Sequence, residues 1–259
     1  MLWQETASTC SRDQPMHLPF WLTTAGLSPL LIYQGRNVRR NIVRLPEAGG
    51  DPSGQYGEGT PDRRVLVIGE STAAGVGVQR HDQGLASQLA RLLHERSGET
   101  VTWHTCGING ATLAELMDNL PLESLPQADV VLLSMGVNDT TGFTPRHRFR
   151  QRLLALRKML KDRYPTPLGL LSVPPMHRFT ALPSPLRQMM GWRARQLDRV
   201  YQSLVREQPG DFIYLRYAAV TDSSLLAEDG FHPGETGYRL MAESIADQSL
   251  HYPQTGVSP

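Results

Sequence analysis

Short apolar segments alternate with helical patterns from residue 63 onward, and this alternation constrains the fold more than any other feature of the sequence. Strands are predicted at VLVIG (65–69), VTWHTC (101–106), DVVLLSMG (129–136), LGLLSV (168–173) and FIYLRY (212–217). The third of these is apolar on both faces, which is typical of a parallel strand covered on both sides. We therefore predict an α/β fold, a three-layer α/β/α sandwich with a five-stranded parallel sheet between two layers of helices.

Capping residues and apolar periodicity place helices between these strands. Asp82 is predicted to cap a helix that ends near Gly98, and Thr144 with Pro145 is predicted to begin the next long helix. Further helices are predicted at residues 112–120, at about residues 184–207, and along the final apolar stripe of Tyr238, Met241 and Ile245.

The composition excludes several classes of protein. The chain has 259 residues and a formal net charge of +1, which argues against a dedicated nucleic-acid-binding protein. Two cysteines, Cys10 and Cys106, are too few for a disulfide framework and are predicted to be free thiols. His104 and Cys106 form only an isolated pair, so we predict no metal site.

The N-terminal region contains an apolar run, residues 18–33, followed by Arg36, Arg39, Arg40 and Arg44. This order is the reverse of a secretory signal, and the run is short for a membrane span. Two interpretations remain open: the segment packs on the domain, or residues 18–44 contact an anionic membrane surface. We expect a cytoplasmic location, which the positive-inside tendency would also give if the segment is an anchor.

The domain boundary is predicted from residues 46–63, which are rich in Gly, Pro and acidic residues. Such a stretch is typical of a linker or an ordered surface loop. We therefore divide the chain into an N-terminal segment and linker (1–62), a main domain (63–252) and a C-terminal tail (253–259).

Candidate functional residues follow the predicted strands. Ser71 lies directly after the first strand, among small residues in GESTAAG. In parallel α/β sheets the site lies beyond the carboxyl ends of the strands. Three other polar segments occupy matching places: CGINGAT with Gly110, GVNDT with Asn138, and EDGFH with Asp229 and His232 before the last helix.

Acyl transfer chemistry assigns a role to each of these residues. A serine hydroxyl needs a base, histidine is suited to that task near neutral pH, and a carboxylate fixes the histidine tautomer. Asp229 precedes His232 by three residues, so one turn of loop can bring the two side chains together. Hydrogen-bond donors for the oxyanion are expected from Ser71, Gly110 and Asn138, with Gly107 as the alternative to Gly110.

The four blocks, in this order, resemble the SGNH hydrolase family, also called GDSL-type esterases and lipases, over about residues 65–250. A single block is a weak signal, whereas four in order are a strong one. The resemblance implies a flavodoxin-like fold and a serine hydrolase without cofactor. It also implies a catalytic triad formed by Ser71, His232 and Asp229. The oxyanion hole that it implies consists of the N–H groups of Ser71 and Gly110 and the side chain of Asn138.

Two departures from known patterns bear on this resemblance. The family usually has Asp where this chain has Glu70; we expect activity to survive because Glu70 is not on the proton path. The elbow of α/β-hydrolases has the pattern G-x-S-x-G, but Ser71 is followed by Thr72 and Ala73, so the second glycine is missing.

The predicted activity is hydrolysis of small or medium carboxylic esters through an acyl-enzyme, with a small-molecule ester as the partner. Phe179 and Leu182, in the loop after the fourth strand, either line a pocket for the acyl or alkyl group or pack beneath the loop. Acetylated carbohydrates, lysophospholipids and acyl thioesters are alternative substrates. A non-catalytic ligand-binding module is the alternative from another class, disfavoured because every catalytic element is present.

Overall fold

A six-stranded sheet forms the centre of the computed structural model, which describes residues 17–217, 220 and 222–249. The strands are β1 (Ser53–Tyr56), β2 (Arg63–Gly69), β3 (Val101–Gly107), β4 (Val130–Ser134), β5 (Leu168–Leu171) and β6 (Phe212–Leu215). Their order is β1-β3-β2-β4-β5-β6, and all neighbours from β3 to β6 are parallel. The parallel strands have the order of the flavodoxin-like fold, which confirms the predicted fold class.

The prediction of five strands is wrong by one, because β1 lies in the stretch interpreted as a linker or surface loop. It pairs antiparallel with β3, from Ser53 opposite His104 to Tyr56 opposite Val101. The short sequence SGQY has no apolar alternation that would indicate a strand. As the outermost strand, β1 covers the backbone groups along the free edge of β3.

Helices cover both faces of the sheet. One layer contains α3 (Leu85–Ser97) and α8 (Glu235–Ser249), which contact each other. The other contains α4 (Leu113–Asn119), α6 (Arg146–Lys161) and α7 (Leu186–Glu207), and the one-turn α5 (Val137–Thr141) directly follows β4. Each layer buries its own apolar cluster against the sheet, so the core has two halves.

Two of the predicted helix starts are wrong in detail. Asp82 lies in a separate 3₁₀ turn, and α3 begins after Gly84, so Asp82 does not cap it. Helix α6 begins at Arg146, and no side chain caps it. Thr144 is buried, and its N–H donates to the carbonyl of Asp139 instead of starting the helix.

The N-terminal region forms a helical hairpin, α1 (His17–Gly26) and α2 (Ser28–Asn41), that packs against α7. The Phe20 ring is fully buried and meets Trp192 edge-on at 5.3 Å. The Gln34 side chain donates to the carbonyl of Ser184 at 2.7 Å and accepts from the N–H of Leu186 at 3.1 Å. The inner face of the hairpin is therefore joined to the domain by both packing and hydrogen bonds.

The outer face of the hairpin exposes large apolar side chains, among them Leu18, Leu22, Leu30 and Tyr33. Contact of this face with a membrane surface stays a prediction. No helix in the described part of the chain combines the length and the apolar content needed to cross a bilayer. Cys10 and the predicted tail at 253–259 lie outside the described residues.

Candidate active site

Ser71 lies in the turn after β2, where the chain passes close to the end of β4. A Cβ at Gly69 would lie 2.2 Å from the carbonyl oxygen of Ser134, so only glycine fits at the end of β2. The turn closes through hydrogen bonds from Ala73 and Ala74 to the carbonyl of Glu70. Ser71 is 7% exposed, which leaves its hydroxyl at the bottom of a cleft.

Ser71, His232 and Asp229 form a continuous series of contacts, as the sequence pattern predicts. The Nε2 atom of His232 lies 3.0 Å from Ser71 Oγ, and its Nδ1 atom lies 2.6 Å from Asp229 Oδ2. Asp229 Oδ1 accepts from the N–H groups of Phe231 and His232, which fixes the carboxylate. These partners indicate the tautomer with the proton on Nδ1, directed at Asp229, and Nε2 as the acceptor.

The environment of Asp229 favours its ionised form. Burial alone raises the pKa of this carboxyl, but the hydrogen bonds from His232 and from the N–H groups of His232 and Phe231 outweigh it. The pKa of Asp229 is therefore lower than its ordinary value. An ionised carboxylate at this position can stabilise a protonated His232 ring.

Asn138 lies at the start of α5 and is held by the buried carboxylate of Glu70. Its side-chain amide donates to Glu70 Oε2 at 2.6 Å and to the carbonyl of Ala111 at 3.2 Å. The N–H groups of Val137 and Asn138 each donate to the same carboxylate at 2.9 Å. Burial raises the pKa of Glu70 to about 7, although these hydrogen bonds oppose the rise.

The two glycines after β3 have different surroundings. A Cβ at Gly107 would lie 2.0 Å from the backbone nitrogen of Ala74, so this glycine permits close packing against the Ser71 turn. Gly110 has a φ of +81°, and a Cβ there would meet nothing within 4 Å. Neither the Ser71 N–H nor the Gly110 N–H donates a hydrogen bond to any residue that the structure describes. Both groups are therefore available to a bound molecule.

Two clefts lie next to these residues. A small one, here called the catalytic cleft, has a volume of about 40 Å³ and contains Ser71, His232 and Phe179. A larger one, the hairpin cleft, has a volume of about 660 Å³ and lies between the N-terminal hairpin and the domain. Leu182 lines the hairpin cleft, so the two predicted pocket residues belong to different cavities.

Three features of the site are not apparent from the sequence patterns. Phe231 lines both clefts, Glu70 binds Asn138, and α2 supplies a wall of the hairpin cleft. Phe231 stands in the DGFH block, directly before His232, and this position is the signal that could have identified it. Among the described residues, no group of three or more His, Cys, Asp or Glu side chains is placed to hold a metal ion.

The sequence model of the GDSL-like Lipase/Acylhydrolase family matches residues 67–240, more than half of the chain. The chain belongs to this family. The match includes all four motif blocks and excludes the N-terminal hairpin. The match confirms the family resemblance that the motifs predict. As a member of this family the chain is a carboxylic ester hydrolase, which confirms the predicted class of enzyme.

Known proteins are similar to this chain in sequence or in fold. The GDSL-like esterase Rv1075c of Mycobacterium tuberculosis is 26% identical over 238 residues, which cover 85% of this chain and 76% of the relative. The lipase/acylhydrolase from Enterococcus faecalis has a TM-score of 0.57 at 21% identity, over 72% of this chain and 95% of that one.

A second solved structure gives a comparable match. The psychrotrophic esterase EstA from Pseudoalteromonas sp., in a structure inhibited by monoethylphosphonate, has a TM-score of 0.54 at 17% identity. The match covers 72% of this chain and 96% of that one. At these identities the structural similarity of the two solved proteins shows the fold.

Proposed function

We propose that this chain hydrolyses carboxylic esters through an acyl-enzyme formed on Ser71. The observation that carries the proposal is the contact series from Asp229 through His232 to Ser71, with distances of 2.6 and 3.0 Å. Both distances are within the range in which a base activates a nucleophile and a carboxylate orients the base.

The reaction proceeds in two transfers of the acyl group. Ser71 Oγ bonds to the ester carbonyl carbon while His232 Nε2 accepts the hydroxyl proton, and the carbonyl oxygen becomes an oxyanion. His232 then gives this proton to the alcohol oxygen as the bond between carbon and that oxygen breaks. In the second transfer a water molecule gives a proton to His232 and attacks the acyl carbon. His232 then returns that proton to Ser71 Oγ as the bond from Oγ to the acyl carbon breaks, which releases the acid and restores the Ser71 hydroxyl.

The oxyanion is stabilised by hydrogen-bond donors near Ser71. The N–H groups of Ser71 and Gly110 donate to no residue that the structure describes, which supports their assignment to this role. The Asn138 amide has two N–H bonds, and both are engaged, one with Glu70 and one with Ala111. The contact with Ala111, at 3.2 Å, is the longer of the two, and we expect it to be exchanged for the oxyanion.

The walls of the catalytic cleft favour an apolar ester. Val137, Phe179 and Phe231 line it, together with Pro174, Pro175 and Met241. The hydroxyl groups of an acetylated carbohydrate require polar partners when they are buried, and besides Ser71 and His232 only Thr72 and Tyr217 among the described lining residues carry a polar side chain. An ester with apolar groups next to the carbonyl carbon or the ester oxygen is therefore the better match.

Labelling with a fluorophosphonate tests the proposal. Attack by Ser71 Oγ on phosphorus displaces fluoride and leaves the probe covalently attached. We expect the wild-type protein and the control Ser124→Ala to be labelled, since Ser124 lies before β4, at the opposite end of the sheet. Ser71→Ala is expected to remain unlabelled. A folded wild-type protein that does not react would favour a non-catalytic ligand-binding module.

A further inference from the structure

The hairpin cleft is bounded by two parts of the chain that are distant in sequence. Leu31, Ile32 and Val38 of α2 form one wall, and Leu182, Leu186 and Met190 form the other. Its volume of about 660 Å³ is within the range of about 300–1,000 Å³ that is typical of sites for small organic ligands. The N-terminal wall lies outside the part of the chain that matches the family.

The hairpin cleft borders the reaction centre and shares one lining residue with the catalytic cleft. Asn138 lines the hairpin cleft, and its neighbour Val137 lines the catalytic cleft. Phe231 belongs to both clefts, and its ring meets the His232 ring at 5.1 Å and the Phe179 ring at 4.9 Å. We therefore expect an acyl chain whose carbonyl carbon lies at Ser71 to reach the hairpin cleft by passing Phe231.

The chemistry of the walls indicates an aliphatic occupant. Arg36 and Arg39 also line the cleft, but both are exposed and neither forms an ion pair with a residue that the structure describes. Long arginine side chains cover apolar surface with their stems while the guanidinium group stays in water. Burial of each methylene of an aliphatic chain is expected to raise kcat/KM by about two- to fourfold.

From these observations we infer that the hairpin cleft is the acyl-chain subsite, and that the substrate is an ester of a medium- or long-chain apolar acid. The inference rests on the proposed function, because the subsite is defined relative to the nucleophile Ser71. It gives the N-terminal hairpin a direct part in substrate selection.

Gly35 offers a way to fill the cleft from the α2 wall. It is half-buried on that wall, and a Cβ there would have nothing within 4 Å. Leucine is a better helix former than glycine, so Gly35→Leu is compatible with α2 and adds an isobutyl group to the cleft. Gly26, in α1, has equally open surroundings and does not line the cleft, which makes Gly26→Leu the matched control.

The experiment compares p-nitrophenyl acetate, butyrate, octanoate and decanoate. In the wild type kcat/KM is expected to rise with acyl length by about two- to fourfold per methylene until the cleft is full. The ratio of kcat/KM for octanoate to that for acetate is expected to fall at least about tenfold in Gly35→Leu and to keep its wild-type value in Gly26→Leu. Should Gly35→Leu be recovered unfolded, Thr24→Leu fills the same cleft from α1.

Two further measurements make the result decisive. A series of alkyl acetates varies the length of the alcohol instead of the acid. If kcat/KM depends on chain length only in this series, the cleft binds the alcohol and the inference is wrong.

Fluorophosphonate labelling of the same samples separates the two proposals. Labelled variants with an unchanged octanoate-to-acetate ratio overturn the subsite and leave the esterase intact, whereas an unlabelled wild type overturns both.

Discussion

The side-chain amide of Asn138 donates a hydrogen bond of 2.6 Å to the carboxylate of Glu70. The same carboxylate accepts the backbone N–H groups of Val137 and Asn138, so it holds the first turn of α5 as well as the side chain. Glu70 is 2% exposed and stands next to Ser71 in the chain. It is therefore a positioning residue, which links the turn that carries Ser71 to a candidate oxyanion donor.

Glu70→Gln is expected to change the pH dependence of stability. Burial raises the pKa of Glu70 from its ordinary 4.5 to about 7, so between these values the folded state keeps a proton that the unfolded state has lost. The wild type therefore loses stability as pH rises through this interval, by roughly 3 kcal/mol, and a glutamine at this position removes that loss.

Urea denaturation of both proteins between pH 5 and pH 8 measures this effect. The free energy of unfolding of the wild type minus that of Glu70→Gln is expected to decrease as pH rises. Glu228→Gln, which changes an exposed carboxylate, serves as the control and is expected to follow the wild-type curve. A constant difference between wild type and Glu70→Gln across the range would contradict a raised pKa at Glu70.

Asn138→Ala is expected to lower kcat by about 10²–10³, because one oxyanion donor is lost. Steady-state assays of p-nitrophenol release from a p-nitrophenyl ester give kcat, and circular dichroism checks that the fold is retained. Asn119→Ala is the matched control, since the Asn119 amide donates only to the carbonyl of Glu115 on an exposed surface. Turnover near the wild-type value in Asn138→Ala would remove this side chain from the oxyanion hole.

Phe20→Ala is expected to destabilise the protein by about 3–5 kcal/mol, the usual cost of deleting a buried phenylalanine ring. The Phe20 ring is fully buried against Trp192, whereas Leu22, two residues along the same helix, is 63% exposed. Leu22→Ala is therefore expected to change stability by less than about 0.5 kcal/mol. Equal effects of the two substitutions in urea denaturation would show that the hairpin does not pack on the domain in solution.

The parallel strands and the residues that follow them are predictable from the sequence for a common reason. A strand buried on both faces is apolar throughout, as in β4, and parallel strands bring their carboxyl ends to one edge of the sheet. Ser71 and His232 are 161 positions apart, yet their side chains lie 3.0 Å from each other. The sequence patterns at the strand ends and before α8 are enough to predict that both residues lie at this edge of the sheet.

Other parts of the structure depend on contacts that no local pattern encodes. Strand β1 is short and polar, and its only strand partner in the described sheet is the edge of β3. The bond between Glu70 and Asn138 depends on the reach of one side chain across the end of the sheet. The hairpin cleft requires α2 and the start of α7 to lie opposite each other, which follows from tertiary packing alone.

Gln34 uses both ends of its amide, at Ser184 in the loop after β5 and at Leu186, the first residue of α7. That loop also carries Leu182 and, three positions earlier, Phe179, whose ring borders the catalytic cleft. Gln34 therefore ties α2 to the segment that also supplies Phe179 to the catalytic cleft. The N-terminal hairpin, which lies outside the residues that match the family, is thus fastened next to the substrate-facing surface by the same glutamine.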